Sequence, residues 1–436
     1  MNKILMGKRK YKSLDYLFVF ILIIYAASAT TFARSLNTWN VPASLLFILS
    51  VTLYYLQTNK IKFSNNVYAL LICFSIYFIF LTLKFKELHP RFFGIYIVSF
   101  FITYACVTRL RHSFFYIYEE VIYYLCCIAL ALWIIYQIVP SGLTNLVDVL
   151  AFSEGGSENV RSNIIIYTIN NARLVAEGYY INLGFLSVTR NPGFAWEPGA
   201  FAVFICLALF VHIIKHRFKN IFNNRFWLYL ICLLSTFSTT GFSIFFVIMG
   251  FYLYNIDLKF KAFYIICLIL IGSFVYSTDI VSSKMDAVVS QNTEEQIKNS
   301  IKFKIAYTPQ RYTSFLIDFK DFVNNPILGY GGHDDEKWTK KLGAQIGSVS
   351  GIGKLLAKFG LIGTIFFFVL LVDSSKKIAQ IFQYKGWGFL LVIIVMISIS
   401  YSLIEHTLIM CFWMFGFFTP PIISKLKPNK PKIVNS

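Results

Sequence analysis

The sequence predicts an all-α polytopic membrane protein with about twelve transmembrane helices. Three observations carry that expectation. The 436 residues are 57% hydrophobic and only 14% charged, against about 45–50% and about 25% in soluble domains. Apolar runs of roughly 16–20 residues recur from Asp15 to Lys425, a length that crosses a hydrocarbon core as helix. Short basic connectors separate the runs and hold most of the +19 net charge. That balance excludes a soluble enzyme, a disordered chain and a nucleic-acid binder. The basic excess reports topology rather than a partner.

Taken in order, the expected spans are 15–33, 41–56, 67–83, 92–107, 121–139, 199–214, 226–238, 241–254, 261–277, 351–372, 387–403 and 407–424. The first follows a basic start but lacks a small-residue cleavage site, so it reads as a retained span rather than a removed signal peptide. With that start inside, the connectors carrying Lys60 and Lys62, Arg109 and Arg111, Lys215 to Arg225, Lys259 and Lys261, and Lys376 to Lys385 all fall on the cytoplasmic side. Both termini are then cytoplasmic. The run 226–254 is too long for one span and short for two. Ser238-Thr239-Thr240-Gly241 in its middle predicts a broken or tightly turning helix pair, tolerated where the backbone faces protein or water. All eight cysteines lie inside apolar runs, without disulfide or metal-type spacing.

This divides the chain into helices one to five (1–139), a first large outer loop (140–198), helices six to nine (199–277), a second large outer loop (278–350), and helices ten to twelve with a basic tail (351–436). A rocking carrier has evenly short loops and a midplane repeat. Here the polar chemistry gathers in two outer loops, and the site is expected there. The first loop ends in Arg190-Asn191-Pro192-Gly193-Phe194-Ala195-Trp196-Glu197-Pro198-Gly199. Its Pro/Gly turn lets Arg190 and Glu197 fold back towards each other, and Pro198 starts a helix that puts Glu197 near the N-cap. Arg173, earlier in the loop, reads as a solvated loop cation or, as a weaker candidate, as a cation for an anionic substrate. In the second loop Pro309, then Phe315, Phe319 and Phe322, describe a short amphipathic helix on the membrane surface with Arg311 in its first turn. The turn Gly329-Tyr330-Gly331 can aim backbone N–H groups at an anion. His333-Asp334-Asp335-Glu336 reads as a cation-binding or general-base cluster, or as a solvated loop tip. Glu405-His406 can line a cavity at the outer surface, and Glu119-Glu120 are expected to face cytoplasmic water.

These motifs, in this order, resemble the oligosaccharide repeat-unit polymerases of bacteria (Wzy-type O-antigen and capsule polymerases), within the superfamily shared with O-antigen ligases. The resemblance rests on R-N-P-G-F-A-W-E-P-G entering a span, the Ser238-Thr239-Thr240-Gly241 break, Arg311 followed by N-N-P-I-L-G-Y-G, and Leu355-Leu356-Ala357-Lys358-Phe359-Gly360-Leu361-Ile362-Gly363. It covers about a quarter of the chain. It implies a GT-C-like glycosyltransferase of the inner membrane, metal-independent and without cofactor, whose site faces the periplasm. Its substrates would be undecaprenyl-diphosphate-linked oligosaccharides held among membrane lipid, with a chain-length regulator as a candidate protein partner. Arg190 and Arg311 match the family's arginines, which would stabilise the diphosphate leaving group. Glu197 and then His333 are the candidate bases, and Arg173, Thr240, Gly329, Tyr330, Gly331 and Ser348 the candidate substrate contacts. One departure bears on the choice within the superfamily. Ligases place His-Asn just before L-L-A-x-x-G, whereas this chain reads Gly347-Ser348-Val349-Ser350-Gly351. That favours polymerase over ligase. A lipid-linked oligosaccharide flippase is the third reading, and it predicts charges lining the span interiors.

Overall fold

Proline and small polar residues punctuate the apolar runs where the helices begin. A computed structural model describes residues 12–27, 41–59, 63–140, 167, 180–182, 187–257, 266, 293–303, 309–344 and 346–420. Arg173, nearly all of the expected span 261–277, most of the stretch 140–198, and residues 278–292 and 304–308 lie outside the described residues. The helices are α1 (Ser13–Ala27), α2 (Val41–Asn59), α3 (Asn65–Phe85), α4 (Pro90–Leu110), α5 (Ser113–Ile138), α6 (Pro198–Lys215), α7 (Asn224–Thr236), α8 (Thr239–Asn255), α9 (Thr293–Phe303), α10 (Arg311–Asn324), α11 (Trp338–Lys341), α12 (Gly351–Phe382), α13 (Gly388–Ser400), α14 (Thr407–Trp413) and α15 (Phe415–Phe418). One antiparallel hairpin, β1 (Tyr180–Asn182) with β2 (Ser187–Thr189), pairs Ile181 with Val188 and leads directly into Arg190. Among the described residues, five helices are long and apolar enough to cross a membrane: α3, α4, α5, α6 and α12. The architecture is that expected of an all-α membrane protein.

Helix α6 forms the centre. Pro198 presets its first turn, and every residue from Pro198 to Ile214 is buried against α5, α7 and α8. At the periphery, α3 turns Ile72, Ile76, Ile79, Phe80 and Leu83 outward. An apolar face of that kind is one that lipid rather than water would cover. The run 226–254 is indeed two helices. α7 ends at Phe237, in the left-handed region at φ +45°, and the Ser238 hydroxyl caps α8 by accepting from the Gly241 N–H.

Helix α12 is broken at Gly360 (φ +62°, ψ −161°). A break inside an apolar bundle frees backbone groups that need partners. The segment after α10 supplies them: Tyr330 and Gly331 donate to the carbonyls of Ala357 and Lys358 at 2.9 and 2.8 Å, while Leu361 and Ile362 donate to Pro326 and Ile327 at 2.8 and 3.2 Å. Gly329 has φ +70°, and a Cβ there would overlap the Lys358 carbonyl; a Cβ at Gly360 would overlap the carbonyl of Ile327.

Two sequence expectations change. The expected span 121–139 begins earlier, at Ser113, so Glu119 sits inside a helix rather than facing water. It is fully buried, bonded to His212 Nδ1 at 3.2 Å, Lys215 Nζ at 2.8 Å and Arg225 Nη1 at 3.0 Å. The last expected span, 407–424, is interrupted at Met414 between α14 and α15. The amphipathic helix α10 forms, but its buried side is polar: Thr313, Ser314, Asp318 and Asp321 join Ile317 there. Phe319, Leu316 and Val323 are exposed, so the apolar stripe points away from the protein, as it would on a membrane surface.

Gly329→Ala puts a side chain into the Lys358 backbone at positive φ. It should lower stability by about 1–3 kcal/mol or more. Thermal unfolding of the purified chain, with Gly250→Ala as the helical control in open space, checks this; equal midpoints would mean the segment does not rest on α12.

Candidate functional site

Four helix ends and one turn meet around Tyr401. The turn Arg190–Glu197 is held by Asn191, whose N–H donates to the Ser235 carbonyl at 2.9 Å and whose side-chain amide donates to Ser235 Oγ at 3.0 Å. Asn191 Oδ1 in turn accepts from the Gly193 N–H at 2.9 Å. Gly193, at φ +51°, faces the Phe201 ring with no room for a Cβ. This brings Arg190 to the end of α7, where its Nε donates to the Thr236 carbonyl at 2.9 Å. Glu197 is the N-cap residue of α6, yet its side chain makes no cap hydrogen bond. Its carboxylate turns instead to Arg311, 3.7 Å away.

Arg311 opens α10 and closes the cluster. It donates to Tyr401 Oη at 2.6 Å and to Thr240 Oγ1 at 3.2 Å, and its guanidinium stacks 4.6 Å above the Tyr401 ring. Thr240 shares a hydrogen bond with Ser400 at 3.1 Å. Tyr401 is 4% exposed, and its hydroxyl also bonds Glu197 and lies within electrostatic reach of Arg190. Gly199 and Gly351 both abut Tyr401, the first its hydroxyl and the second its carbonyl, where a Cβ would overlap. Arg190, Arg311, Glu197 and Thr240 therefore come together, from the two long connecting stretches 140–198 and 278–350 and the α7–α8 break. The result is a partly exposed cluster with two guanidiniums against one carboxylate, suited chemically to an anion of more than one charge.

Other candidates sit elsewhere. The amides of Gly329, Tyr330 and Gly331 are spent on Asn325, Ala357 and Lys358 carbonyls, so they do not form an anion cradle. Ser348 donates to Asp318 Oδ2 at 2.5 Å. His333 is not a loop tip. It is buried, beside Glu87 at 3.5 Å and with its ring 4.2 Å from that of His89. Burial, and then His89, lower its pKa below the usual histidine value against the opposing pull of Glu87. Asp334 and Glu336 pair with Lys337 and Lys341 at 2.6 and 2.7 Å rather than converging with His333.

Sequence reasoning missed Tyr401, which it placed inside an apolar span; the polar run Tyr401-Ser402 ahead of Glu405-His406 was the available signal. Glu405 does line a cavity, of about 150 Å³, with Tyr77, Tyr96, Phe359 and Trp413 among its walls. There Glu405 pairs with Lys358 at 2.8 Å, and Tyr96 donates to it. The cavity wall is otherwise almost wholly apolar. The chain matches no family model, no curated protein and no solved structure.

The buried face of α10 sets a pH dependence. Burial raises Asp318 to about 7, with the Ser348 hydrogen bond opposing, and burial also raises Asp321. A carboxyl raised in the folded state binds more protons there than when unfolded. Its contribution therefore falls as pH climbs from about 4 to about 7 and is flat above, on the order of a few kcal/mol in all. Asp318→Asn should flatten that decline in the stability curve, leaving only the share of Asp321; a wild-type-like slope in the variant, read by thermal unfolding across this range, would reject the assignment.

Proposed function

We propose that the chain polymerises lipid-linked oligosaccharide repeat units, moving the growing glycan from undecaprenyl diphosphate to the non-reducing end of another undecaprenyl-diphosphate-linked unit, for O-antigen or capsular polysaccharide. The proposal includes the twelve-span topology with both termini cytoplasmic, in a bacterial inner membrane, and the site on the periplasmic side. The observation that supports it most is the meeting of Arg190 and Arg311, from two separate loops, around Tyr401 and Glu197.

In the transfer, the acceptor hydroxyl attacks the anomeric carbon, the bond from that carbon to the diphosphate oxygen breaks, and undecaprenyl diphosphate leaves with the electron pair. Arg190 and Arg311 would hold the charge that develops on the leaving oxygens, where fixed donors count most. Tyr401 acts through Arg311, fixing the guanidinium by a hydrogen bond and a ring face. Glu197 is the carboxylate at hand to take the hydroxyl proton, provided it reaches the attacking oxygen. His333 belongs to another cluster, which weakens it as the second candidate. The cavity walled by Tyr77, Phe359 and Trp413 offers apolar surface to a polyisoprenoid or other lipid chain. At the position where ligases carry His-Asn, Ser348 is engaged with Asp318, which favours polymerase over ligase.

A strain lacking the gene should show a single repeat unit where the parent makes a ladder on a gel of surface glycans and lipid-linked intermediates. Long polymer stranded on the carrier would make the chain a ligase instead. Arg190→Ala and Arg311→Ala should each reduce extension about 10²-fold or more at normal protein level; parental chain length in either removes that arginine from the mechanism. Retained activity in Glu197→Gln would exclude Glu197 as the base.

A further inference from the structure

Three metal-ligating side chains from distant stretches of chain meet away from the arginine cluster. Glu87 and His89 lie in the α3–α4 connector, His89 standing immediately before Pro90 as the N-cap residue of α4. His333 arrives from the second loop, directly after the segment that fills the break in α12. Glu87 Oε1 is 3.3 Å from His89 Nε2, Glu87 Oε2 is 3.5 Å from His333 Nδ1, and the three donors all lie within 4.8 Å of one another.

The spacing is close to that of a coordination shell. Nitrogen and oxygen ligands about 2.0–2.2 Å from a tetrahedral ion stand about 3.3–3.5 Å from each other; Glu87 makes that separation to each histidine, through Oε1 to His89 and through Oε2 to His333. The two imidazoles meet edge to face, at 81°. The backbone is shaped for this approach. Gly331 has φ +59°, and a Cβ on Gly332 would come within 2.7 Å of Phe92 and 3.4 Å of His89. Phe85 packs on the His333 ring at 4.4 Å and leaves it 5% exposed. Glu87 is 65% exposed on its side chain, so an ion has a route in from water and room to keep one water ligand. Asp334 and Glu336, engaged with Lys337 and Lys341, stay outside the set.

We propose that Glu87, His89 and His333 bind a divalent transition-metal ion, Zn²⁺ by the chemistry of two imidazoles and one carboxylate, and that the ion clasps the second loop to the α3–α4 connector. Calcium and magnesium would need six or more oxygen ligands, which this cluster lacks. The ion's role is to position: His333 is two residues beyond Gly331, so the clasp fixes the far end of the segment bonded to α12.

The test uses the full chain, purified in detergent through a tag without histidine and stripped with a chelator. It is then incubated with Zn²⁺ alone, gel-filtered and subjected to elemental analysis. About one zinc per wild-type chain is expected, falling to near zero in Glu87→Ala, His89→Ala and His333→Gln. Glu87 is exposed, so Glu87→Ala reports on the site even where a histidine variant fails to fold. Zn²⁺ should also raise the unfolding midpoint of the wild type by about 2–4 °C or more and leave that of Glu87→Ala unmoved. No zinc retained by the wild type, or equal retention in Glu87→Ala, overturns the proposal. Metal content is read independently of glycan length, so this result and the test of the polymerase reading can fail separately.

Discussion

An apolar helix bundle tolerates a broken helix only if something polar from the same chain fills the gap. The break in α12 at Gly360 is that constraint here, and much of the architecture around it follows. The segment Pro326–Gly331 must lie against Ala357–Ile362 to close the backbone hydrogen bonds. Helix α10, which leads into that segment, then runs parallel to the first turns of α12. Ser314 lies beside Val349, Asp318 beside Gly353 and Pro326 beside Leu361. Arg311, at the start of α10, is carried in this way to the start of α12 and onto Tyr401.

Tyr401 is the junction where these constraints meet. Glycines at the starts of α6 and α12 let both helices approach it more closely than any side chain would permit. Its hydroxyl and ring then fix one guanidinium from two directions, which limits the rotamers open to an otherwise flexible arginine. A charged group held this way loses less freedom when it meets an anion than one waving in solvent. The polar buried face of α10 serves the same end, since Asp318 and Asp321 tie the helix to Ser348 and Trp338.

Local features of this fold could be read from the chain. The apolar runs gave the helices, Pro198 and Ser238 marked starts, and the Ser-Thr-Thr-Gly break separated α7 from α8 as expected. Arg190, Glu197, Thr240 and Arg311 stood out because polar residues beside turns are scarce in such a sequence. What stayed hidden was non-local. Nothing near Glu119 announces Lys215 or Arg225, and nothing near His333 announces Glu87 and His89. The Gly329-Tyr330-Gly331 turn looked like an anion cradle because its amides had no visible acceptor; the acceptors are carbonyls of a helix break. Periodicity says which face of α10 is apolar, but it cannot say that the polar face is the buried one.

The buried carboxylates also have a chronology. Glu119 is synthesised well before Lys215 and Arg225, the cations that neutralise it, and an isolated carboxylate in an apolar setting is costly. Asp15 stands in the same position, waiting for the Tyr55 hydroxyl at 2.8 Å and for Arg109. Neither α1 nor α5 can settle into its final place when it first emerges. The charges thus write an order of assembly into the chain, in which α2 and α4 release α1, and the arrival of α6 and α7 locks α5.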